Sequence, residues 1–398
     1  MHLRNSWQVV LPENNQSGGF GLYIHWPFCQ SKCPYCDFNS HVSASIDQSR
    51  WLASYINEIK HLGRETPSRI LDTVFFGGGT PSLMRPEIVA GIMETIRATW
   101  RVSNSFEVTL EANPTSVEAG RFQGYRDAGV NRVSIGIQAL NDNDLHALGR
   151  LHSVSEARKA LDTAHHIFDR VSFDLIYARQ GQTLADWQAE LTQAVQMASG
   201  HISLYQLTIE EGTAFGDRYA RGKLPGLPPD DDAADMYFET QDICAAAGLP
   251  AYEISNHASP GNESRHNLIY WNYADYGGIG PGAHGRLSLN GSRYATETYI
   301  QPGKWLEQVE NHGKGESLRN KLSSGDQGAE YLMMGLRIDQ GISLSRYQSL
   351  TGDRIKSTII NDLTDIGVVR VAGDRLAATP KGRPVLNSII RELLPDPT

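Results

Sequence analysis

The chain has few cysteines, no long apolar run and no excess of basic residues. Only four of its 398 residues are cysteine, which excludes a disulfide scaffold, because such scaffolds carry more cysteines in a shorter secreted chain. No apolar run approaches the roughly 18 residues that a membrane-spanning helix needs. A formal net charge of −9 gives no basic surface for nucleic acid or anionic lipid. We therefore expect a globular protein that is not integral to a membrane and has no nucleic-acid partner.

The first residues also lack a targeting signal. Residues 1–19 are polar, contain a single arginine and have no apolar core, so neither export nor organelle import is predicted. We interpret this stretch as a loose N-terminal leader and expect a cytoplasmic protein.

What the chain does contain is a repeated α/β pattern. Six times a short β-rich run is followed by a polar or glycine-rich corner and an amphipathic helix, which predicts parallel strands joined by right-handed crossovers. Six units over residues 20–215 make an incomplete (β/α)6 barrel, and an open doubly wound sheet is the alternative. The predicted strands are 21–26, 73–76, 106–111, 132–138, 170–176 and 201–208, with helices near 48–63, 84–99, 116–128, 153–166, 184–197 and 232–247.

The remaining sequence divides into two further segments. Residues 216–323 are rich in Gly, Pro, Asn and aromatics and predict an irregular extension. Residues 324–398 predict helices followed by a hairpin, 368–371 with 375–378, which is typical of a small winged-helix-like domain. Because the protein is acidic, we expect this domain to serve as a packing or lid unit rather than to bind nucleic acid.

Polar residues follow the ends of the six predicted strands. Active sites of parallel α/β folds are built at the carboxyl ends of their strands, so six separate stretches of sequence are expected to converge on one mouth. These residues are Cys29, Gly77–Thr80, Glu111, Asn113, Gln138, Asp174, Gln206 and Thr208.

The strongest motif is GLYIHWPFCQSKCPYCDFNSH, in which three cysteines stand in a Cys-x3-Cys-x2-Cys spacing. Thiolates are soft ligands that suit iron–sulfur clusters, zinc or copper(I). Three thiolates on a four-iron cube leave one iron open to a small molecule, and the fourth cysteine, Cys244, lies far along the chain. We predict that Cys29, Cys33 and Cys36 hold a [4Fe–4S] cluster. The alternative is a zinc knuckle completed by His25, His41 or Asp37.

Tyr35 directly precedes the last cysteine, and with this aromatic the motif resembles that of the radical S-adenosylmethionine (SAM) superfamily. The resemblance implies that the amino and carboxylate groups of SAM chelate the open iron. It also implies that an electron passed through the cluster cleaves SAM to a 5′-deoxyadenosyl radical, so an electron donor is an implied partner.

Several other residues have chemistry that suits a small polar ligand. Glycines in FFGGGTPS let a ligand approach the backbone closely, and carboxylates at Glu111 and Asp174 need a partner beside their apolar strands. Gln138 can donate and accept, and Arg150 can bind a carboxylate through two N–H groups. Taken singly, each side chain is equally compatible with a salt bridge or a rim position.

The motifs YIHWPFC, GGGTPS, LEANP, RVSIGIQ, LGRLH, DLIYA and YEISN resemble the oxygen-independent coproporphyrinogen III oxidase (dehydrogenase) family over roughly residues 20–390. In that family two SAM molecules can share the site. The resemblance implies SAM contacts from Tyr23, Tyr35, Gly78, Gly79, Thr80, Glu111, Gln138, Arg150 and Asp174.

Two departures from that family are informative. Phe38 stands where the dehydrogenase has a further cysteine, and the segment before the first strand is shorter than the dehydrogenase's N-terminal arm. Both features resemble the HemW-type haem chaperone branch, which lacks the dehydrogenase activity. That branch also carries a His-Asn-x-x-Tyr-Trp signature, here beginning at His266, so the resemblance implies a haem contact from His266, Tyr270 and Trp271.

The residues of this signature allow two interpretations. A neutral imidazole is a good iron ligand, and aromatic side chains can cover a macrocycle. The segment is equally compatible with an aromatic loop packed across the barrel mouth, with His266 hydrogen-bonded to the backbone. His284 and His257 are weaker candidates for an iron ligand.

The resemblance therefore implies a haem chaperone that binds a [4Fe–4S] cluster, SAM and haem, and passes haem to apo-haemoproteins. No residue is assigned as catalytic, SAM cleavage is left open, and so is a homodimer. The alternatives are a radical SAM oxidoreductase that acts on a porphyrinogen, and a zinc protein with a regulatory role.

Overall fold

The computed structural model describes residues 19–43 and 45–394, so the leader predicted from the sequence lies, over residues 1–18, outside the described part of the chain. The described residues form an eleven-stranded mixed sheet, a three-stranded sheet and a two-stranded pair. Within the same residues, no helix combines the length and the apolar character that crossing a bilayer requires.

The elements are numbered here in chain order. The strands in the described residues are β1 (Phe20–Trp26), β2 (Phe28–Cys29), β3 (His41–Val42), β4 (Ile70–Gly78), β5 (Arg101–Ala112), β6 (Arg132–Gln138), β7 (Arg170–Tyr177), β8 (His201–Gln206), β9 (Asn256–Ala258), β10 (Asp275–Ile279), β11 (His284–Leu289), β12 (Ser292–Thr298), β13 (Glu316–Lys321), β14 (Ile342–Ser343), β15 (Val369–Ala372) and β16 (Arg375–Ala378). The helices are α1 (Gln48–Glu65), α2 (Pro86–Thr99), α3 (Ser116–Ala119), α4 (Phe122–Ala128), α5 (Asp142–Ala147), α6 (Val154–Ile167), α7 (Leu184–Met197), α8 (Ala214–Ala220), α9 (Asp230–Ala246), α10 (Arg265–Trp271), α11 (Pro302–His312), α12 (Ser324–Gly335), α13 (Leu344–Thr351), α14 (Ser357–Asp365) and α15 (Leu386–Leu393).

The predicted α/β architecture is confirmed. Strands β1, β4, β5, β6, β7 and β8 are parallel neighbours in chain order. A doubly wound sheet reverses its strand order at a switch point, and this sheet has no such reversal between β1 and β8, so the alternative is wrong. The strand order is linear and ends at β9 and β13, which leaves the barrel open.

The stretch expected to be irregular, residues 216–323, contains regular structure that the sequence analysis missed. Strand β10 pairs in parallel with β1, and β11, β12 and β13 continue the sheet as an antiparallel meander. Its glycine-rich composition hid these strands, because Gly277, Gly278 and Gly285 allow close approach of neighbouring chains rather than a loop. The predicted helix 116–128 is also divided, into α3 and α4.

Local chemistry explains where several helices begin. Ser153 and Thr183 each cap a helix through a reciprocal box with the acidic residue three positions later, at α6 and α7. Strands β6 and β7 are buried on both faces along most of their length, as expected for a parallel sheet covered by helices. These elements therefore present the carboxyl ends of β1 and β4–β8 at one common edge.

The C-terminal segment packs against the end of the sheet extension. Helices α12–α15 and the sheet β14–β16–β15 share one apolar cluster, to which Tyr273 also contributes. Arg346 donates to the backbone oxygens of Asn272 and Tyr273 at 2.9 and 3.1 Å. Glu330 accepts from Tyr273 and Arg286. The C-terminal segment thus reaches the segment that follows α10, near the carboxyl end of the barrel strands.

Candidate functional site

The three motif cysteines line one cavity of about 160 Å³, which we call the cluster cavity. All three are half-buried free thiols. Thr80 Oγ1 donates to Cys29 Sγ at 3.3 Å, and Arg150 Nη1 lies 3.5 Å from Cys33 Sγ. Burial raises the pKa of Cys29, and the Thr80 hydroxyl offsets part of that rise. The loop that carries the cysteines therefore presents three soft ligands to one enclosed space.

The donor set fits the [4Fe–4S] cluster that the sequence predicts. Three thiols that share a cavity can each bind one corner of a cluster and leave the fourth iron facing the rest of that cavity. In the described part of the chain, no group of three His, Cys, Asp or Glu side chains is arranged to hold a single metal ion. The fit rests on the shared cavity, with residues 29, 33 and 36 as the proposed ligands.

The glycine-rich corner after β4 lies directly against the cysteine loop. Gly79 N donates to Trp26 O at 2.7 Å, and Thr80 N donates to Phe28 O at 2.8 Å. Gly78 has a φ of 108°, in the region that glycine favours. A Cβ added to Gly79 would lie 2.7 Å from Phe28 O, so no larger residue fits this contact without moving the segment that ends in Cys29.

We expect Gly79→Ala to destabilise the protein by about 1–3 kcal/mol, the usual cost of overpacking, and to lower the iron content after reconstitution. Gly303→Ala is the matched control, because a Cβ there meets no atom within 4 Å and its helical position favours alanine. Chemical unfolding and iron analysis measure both variants. Equal stability of Gly79→Ala and wild type would contradict the close packing described here.

Two buried carboxyls, Glu111 and Asp174, line the cluster cavity. Burial and, to a smaller extent, the neighbouring Asp174 together raise the pKa of Glu111 to about 8. Burial also raises the pKa of Asp174 to about 6, although Ser134 donates to it at 3.2 Å. Buried carboxyls with raised pKa values lack strong partners in the protein, so a ligand that supplies positive charge or hydroxyl donors would stabilise their ionised forms.

Arg150 is oriented by the protein rather than left free for a bidentate contact. Its Nη2 donates to Asn113 Oδ1 at 2.6 Å and to Gly136 O at 2.8 Å. Its Nε is buried and has no hydrogen-bond partner among the described residues. Gln138, at the end of β6, has a φ of 77°, a strained conformation for this residue type that turns the chain at the cavity.

The structure brings together eight of the nine residues implied as SAM contacts, and Tyr23 is the exception. Tyr23 lies in a neighbouring cavity, with its hydroxyl 3.0 Å from His25 Nδ1. The eight that line the cluster cavity are Tyr35, Gly78, Gly79, Thr80, Glu111, Gln138, Arg150 and Asp174.

Beside the cluster cavity lies a larger one of about 890 Å³, which we call the aromatic cavity. It is formed by β1, the cysteine loop, the end of α10, strands β10 and β11, and two residues of α12. Gly78, Glu111 and Phe38 line both cavities, so the two are adjacent. Its aromatic lining consists of Tyr23, Phe38, Tyr270, Trp271, Tyr273 and Tyr276.

Two of the three residues implied as haem contacts, Tyr270 and Trp271, line the aromatic cavity, and His266 does not. His266 is buried behind Tyr270, with Nε2 2.6 Å from the Tyr270 hydroxyl and Nδ1 2.7 Å from Thr73 Oγ1. Its ring stacks on Phe75, and burial lowers its pKa to about 3. Its partners are side chains and not backbone, and in this conformation neither ring nitrogen is available to iron.

A third cavity, of about 800 Å³, lies on the other side of the cluster cavity, next to β7 and β8. It shares Tyr35, Gln138 and Asp174 with the cluster cavity, and Arg337 and Arg383 of the C-terminal segment lie in its wall. The cluster cavity is therefore flanked on two sides by spaces large enough for an organic ligand.

Sequence reasoning missed the structural roles of Phe38, Asn113 and Glu330. Phe38 was noted only as a missing cysteine, yet it lines all three cavities and is 57% exposed. Asn113 holds Arg150, and its place in LEANP was the available signal. Nothing in the sequence indicated that Glu330 of the C-terminal segment reaches the aromatic cavity.

Comparisons with known proteins agree with this geometry. Residues 23–193 match the radical SAM superfamily model, and residues 322–385 match that of the HemN C-terminal domain. The chain is 37% identical to radical S-adenosyl methionine domain-containing protein 1, mitochondrial, of Bos taurus, covering 94% of this chain and 87% of that protein. It is 34% identical to the heme chaperone HemW of Escherichia coli, covering 94% and 97%.

The coproporphyrinogen III oxidase (HemN) structure from Escherichia coli superposes with a TM-score of 0.80 at 20% identity, covering 94% of this chain and 90% of that one. At this identity the likeness establishes the fold. It confirms an α/β radical SAM architecture followed by a C-terminal segment of the HemN type.

Proposed function

We propose that this chain, which belongs to the radical SAM superfamily and to its HemW-type branch, is a haem chaperone that carries a [4Fe–4S] cluster and SAM. It would bind haem and pass it to apo-haemoproteins, in the cytoplasm. The observation that supports this most directly is the aromatic cavity, which adjoins the three thiols and has the size of an organic cofactor site. The match to HemW over nearly its whole length adds to it.

In this proposal the residues of the cluster cavity hold SAM against the cysteine loop. Cys29, Cys33 and Cys36 would hold three irons of the cluster, and the residues at the carboxyl ends of β5–β7 line the same cavity, where SAM would bind. Glu111 and Asp174 accept hydrogen bonds or positive charge from the ligand, and the backbone at Gly78 and Gly79 lets it approach closely. When bound, the cluster and SAM supply one-electron chemistry, for which an external donor is a proposed partner.

The position of Phe38 supports a carrier over a dehydrogenase. The dehydrogenase family has a further cysteine at this position, whereas the Phe38 ring lines the cluster cavity and both of its neighbours. An exposed apolar ring there extends the aromatic surface that a tetrapyrrole would contact. Tyr270 and Trp271 form the opposite part of that surface.

The test is anaerobic protein with its cluster reconstituted, supplied with SAM and a reductant. We expect it to bind about one haemin per chain, to transfer it to an apo-cytochrome of the b type, and to leave coproporphyrinogen III unchanged. Haem binding is followed by absorbance and the porphyrinogen by chromatography after oxidation. Consumption of coproporphyrinogen with release of carbon dioxide would replace this proposal with the radical SAM oxidoreductase.

A further inference from the structure

The histidines around the aromatic cavity differ sharply in whether they can bind an iron. The cavity is lined by His25, His41 and His284, and His266 lies behind its wall. An axial ligand must present a neutral nitrogen that makes no other strong contact. The third cavity, by contrast, has no histidine among the described residues that line it.

Three of these four rings are engaged by the protein. His25 Nδ1 lies 3.0 Å from the Tyr23 hydroxyl, and its Nε2 lies 2.9 Å from Asn39 O. His41 is held through one nitrogen, since its Nε2 lies 2.9 Å from Asn39 Oδ1, whereas its Nδ1 makes no hydrogen bond to a described residue. His266 uses both of its nitrogens, as described above. Binding iron through any of these atoms would break a contact that shapes the cavity.

His284 is different, because it stands at the start of β11 with its side chain 58% exposed. Its Nε2 makes no hydrogen bond to any described residue. Its Nδ1 lies 3.8 Å from Glu297 Oε1, across the antiparallel pair of β11 and β12. This separation is longer than a hydrogen bond, so Glu297 acts on the ring through its charge. Metal-binding histidines commonly have a carboxylate beside their second ring nitrogen.

From this arrangement we propose that His284 Nε2 is the axial ligand of haem iron in the aromatic cavity and that Glu297 orients its ring. The inference rests on the proposed haem-binding function and identifies the residue that gives the site its iron. His266 then has a positioning role, because it holds the Tyr270 hydroxyl and with it one aromatic wall of the cavity.

The rest of the cavity has the groups that a haem requires. The side chains of Phe38 and Ile300 are 57% and 65% exposed and line the same cavity, where they can cover the edges of the macrocycle. Lys32, Arg286 and Arg293 also line it and can neutralise the two propionates. Arg286 and Arg293 already bind Glu330 and Asp275, whereas Lys32 forms no ion pair with a described residue.

The deciding experiment is a haemin titration of the full-length, cluster-loaded protein and of two alanine variants, His284→Ala and His266→Ala. Absorbance gives the affinity, and electron paramagnetic resonance of the ferric protein reports the axial ligand. We expect His284→Ala to bind haemin at least tenfold more weakly and to lose the signal of an imidazole-bound iron. Added imidazole should restore that signal. His266→Ala should retain the ligand signal of the wild type. Its haemin affinity should fall less than that of His284→Ala, because only the position of Tyr270 in the cavity wall is disturbed.

Iron and sulfide analysis shows whether each variant keeps its cluster, so a loss of haemin binding can be separated from a loss of the fold. Glu297→Gln should keep the imidazole signal and lower the affinity by a smaller factor. If His284→Ala showed the same ligand signal and haemin affinity as the wild type, the assignment of His284 would be wrong. The proposed chaperone function would not be affected by that result. Failure of the wild type to bind haemin would remove the proposed function, and this inference with it.

Discussion

Replacing Cys29 with alanine is expected to abolish the iron–sulfur cluster. Two remaining thiols cannot hold a four-iron cube against loss to solvent, so iron and sulfide should fall from about four of each per chain to below one. SAM binding should fall with them, because the open iron is the anchor for its amino and carboxylate groups. Metal and sulfide analysis after anaerobic reconstitution, with visible absorbance, measures the change.

Cys244→Ala is the matched control for this experiment. Cys244 is fully buried in α9, away from the cavities, and burial raises its thiol pKa to about 12. The Cys244→Ala protein should therefore keep the full cluster. A Cys29→Ala protein that still holds about four irons would refute the assignment. So would colourless wild-type protein that contains one zinc ion, since the zinc knuckle was the alternative from the sequence.

The second large effect is expected for Glu111→Gln. This carboxyl lines all three cavities and accepts no hydrogen bond from a basic side chain of the described residues. A hydrogen bond to a charged group contributes about 1.5–3 kcal/mol, so the SAM affinity at pH 8.5 should fall by roughly 10- to 150-fold. Isothermal titration calorimetry of the cluster-loaded protein measures the SAM affinity. Glu87→Gln, exposed in the first turn of α2, should bind as the wild type does.

The same carboxyl predicts a pH dependence of SAM binding. The pKa of Glu111 is raised to about 8 and that of Asp174 to about 6, so both are protonated at low pH. A ligand that carries positive charge binds the ionised forms. Affinity in the wild type should therefore rise with pH from about 5 to 9, as Asp174 and then Glu111 ionise, and level off above about 9. In Glu111→Gln the rise between pH 7 and 8 should be smaller. An unchanged profile in the variant would place the titrating group elsewhere.

Much of the barrel could be predicted from the sequence. The strand β6 has the predicted bounds, and β1, β4 and β7 differ from prediction by a few residues at their ends, because alternation with amphipathic helices is a local signal. The carboxyl ends of these strands were expected to share one mouth, and Glu111, Gln138 and Asp174 do meet there. Their convergence follows from parallel strand direction alone.

The sheet extension could not be predicted in the same way. The glycines of β10 favoured the prediction of a flexible loop. In the structure Gly278 is required in a strand, because a Cβ there would lie against the backbone of His284. The role of His266 was equally hidden. The resemblance implied a haem contact from His266, and the alternative was a hydrogen bond to the backbone. Only the packing of α10 against β4 and β1 decides that Thr73 and Tyr270 use both ring nitrogens.

The sequence by itself determined the three-thiol motif, the α/β order and the convergence of polar residues at the strand ends, because each depends on short spacing or on strand direction. Tertiary structure alone decided which histidines line the aromatic cavity, and that Glu330 of a distant helix helps to line it. The physical reason is that exposure and hydrogen-bond partners are properties of surfaces brought together from far apart in the chain. Local patterns carry no information about those distances.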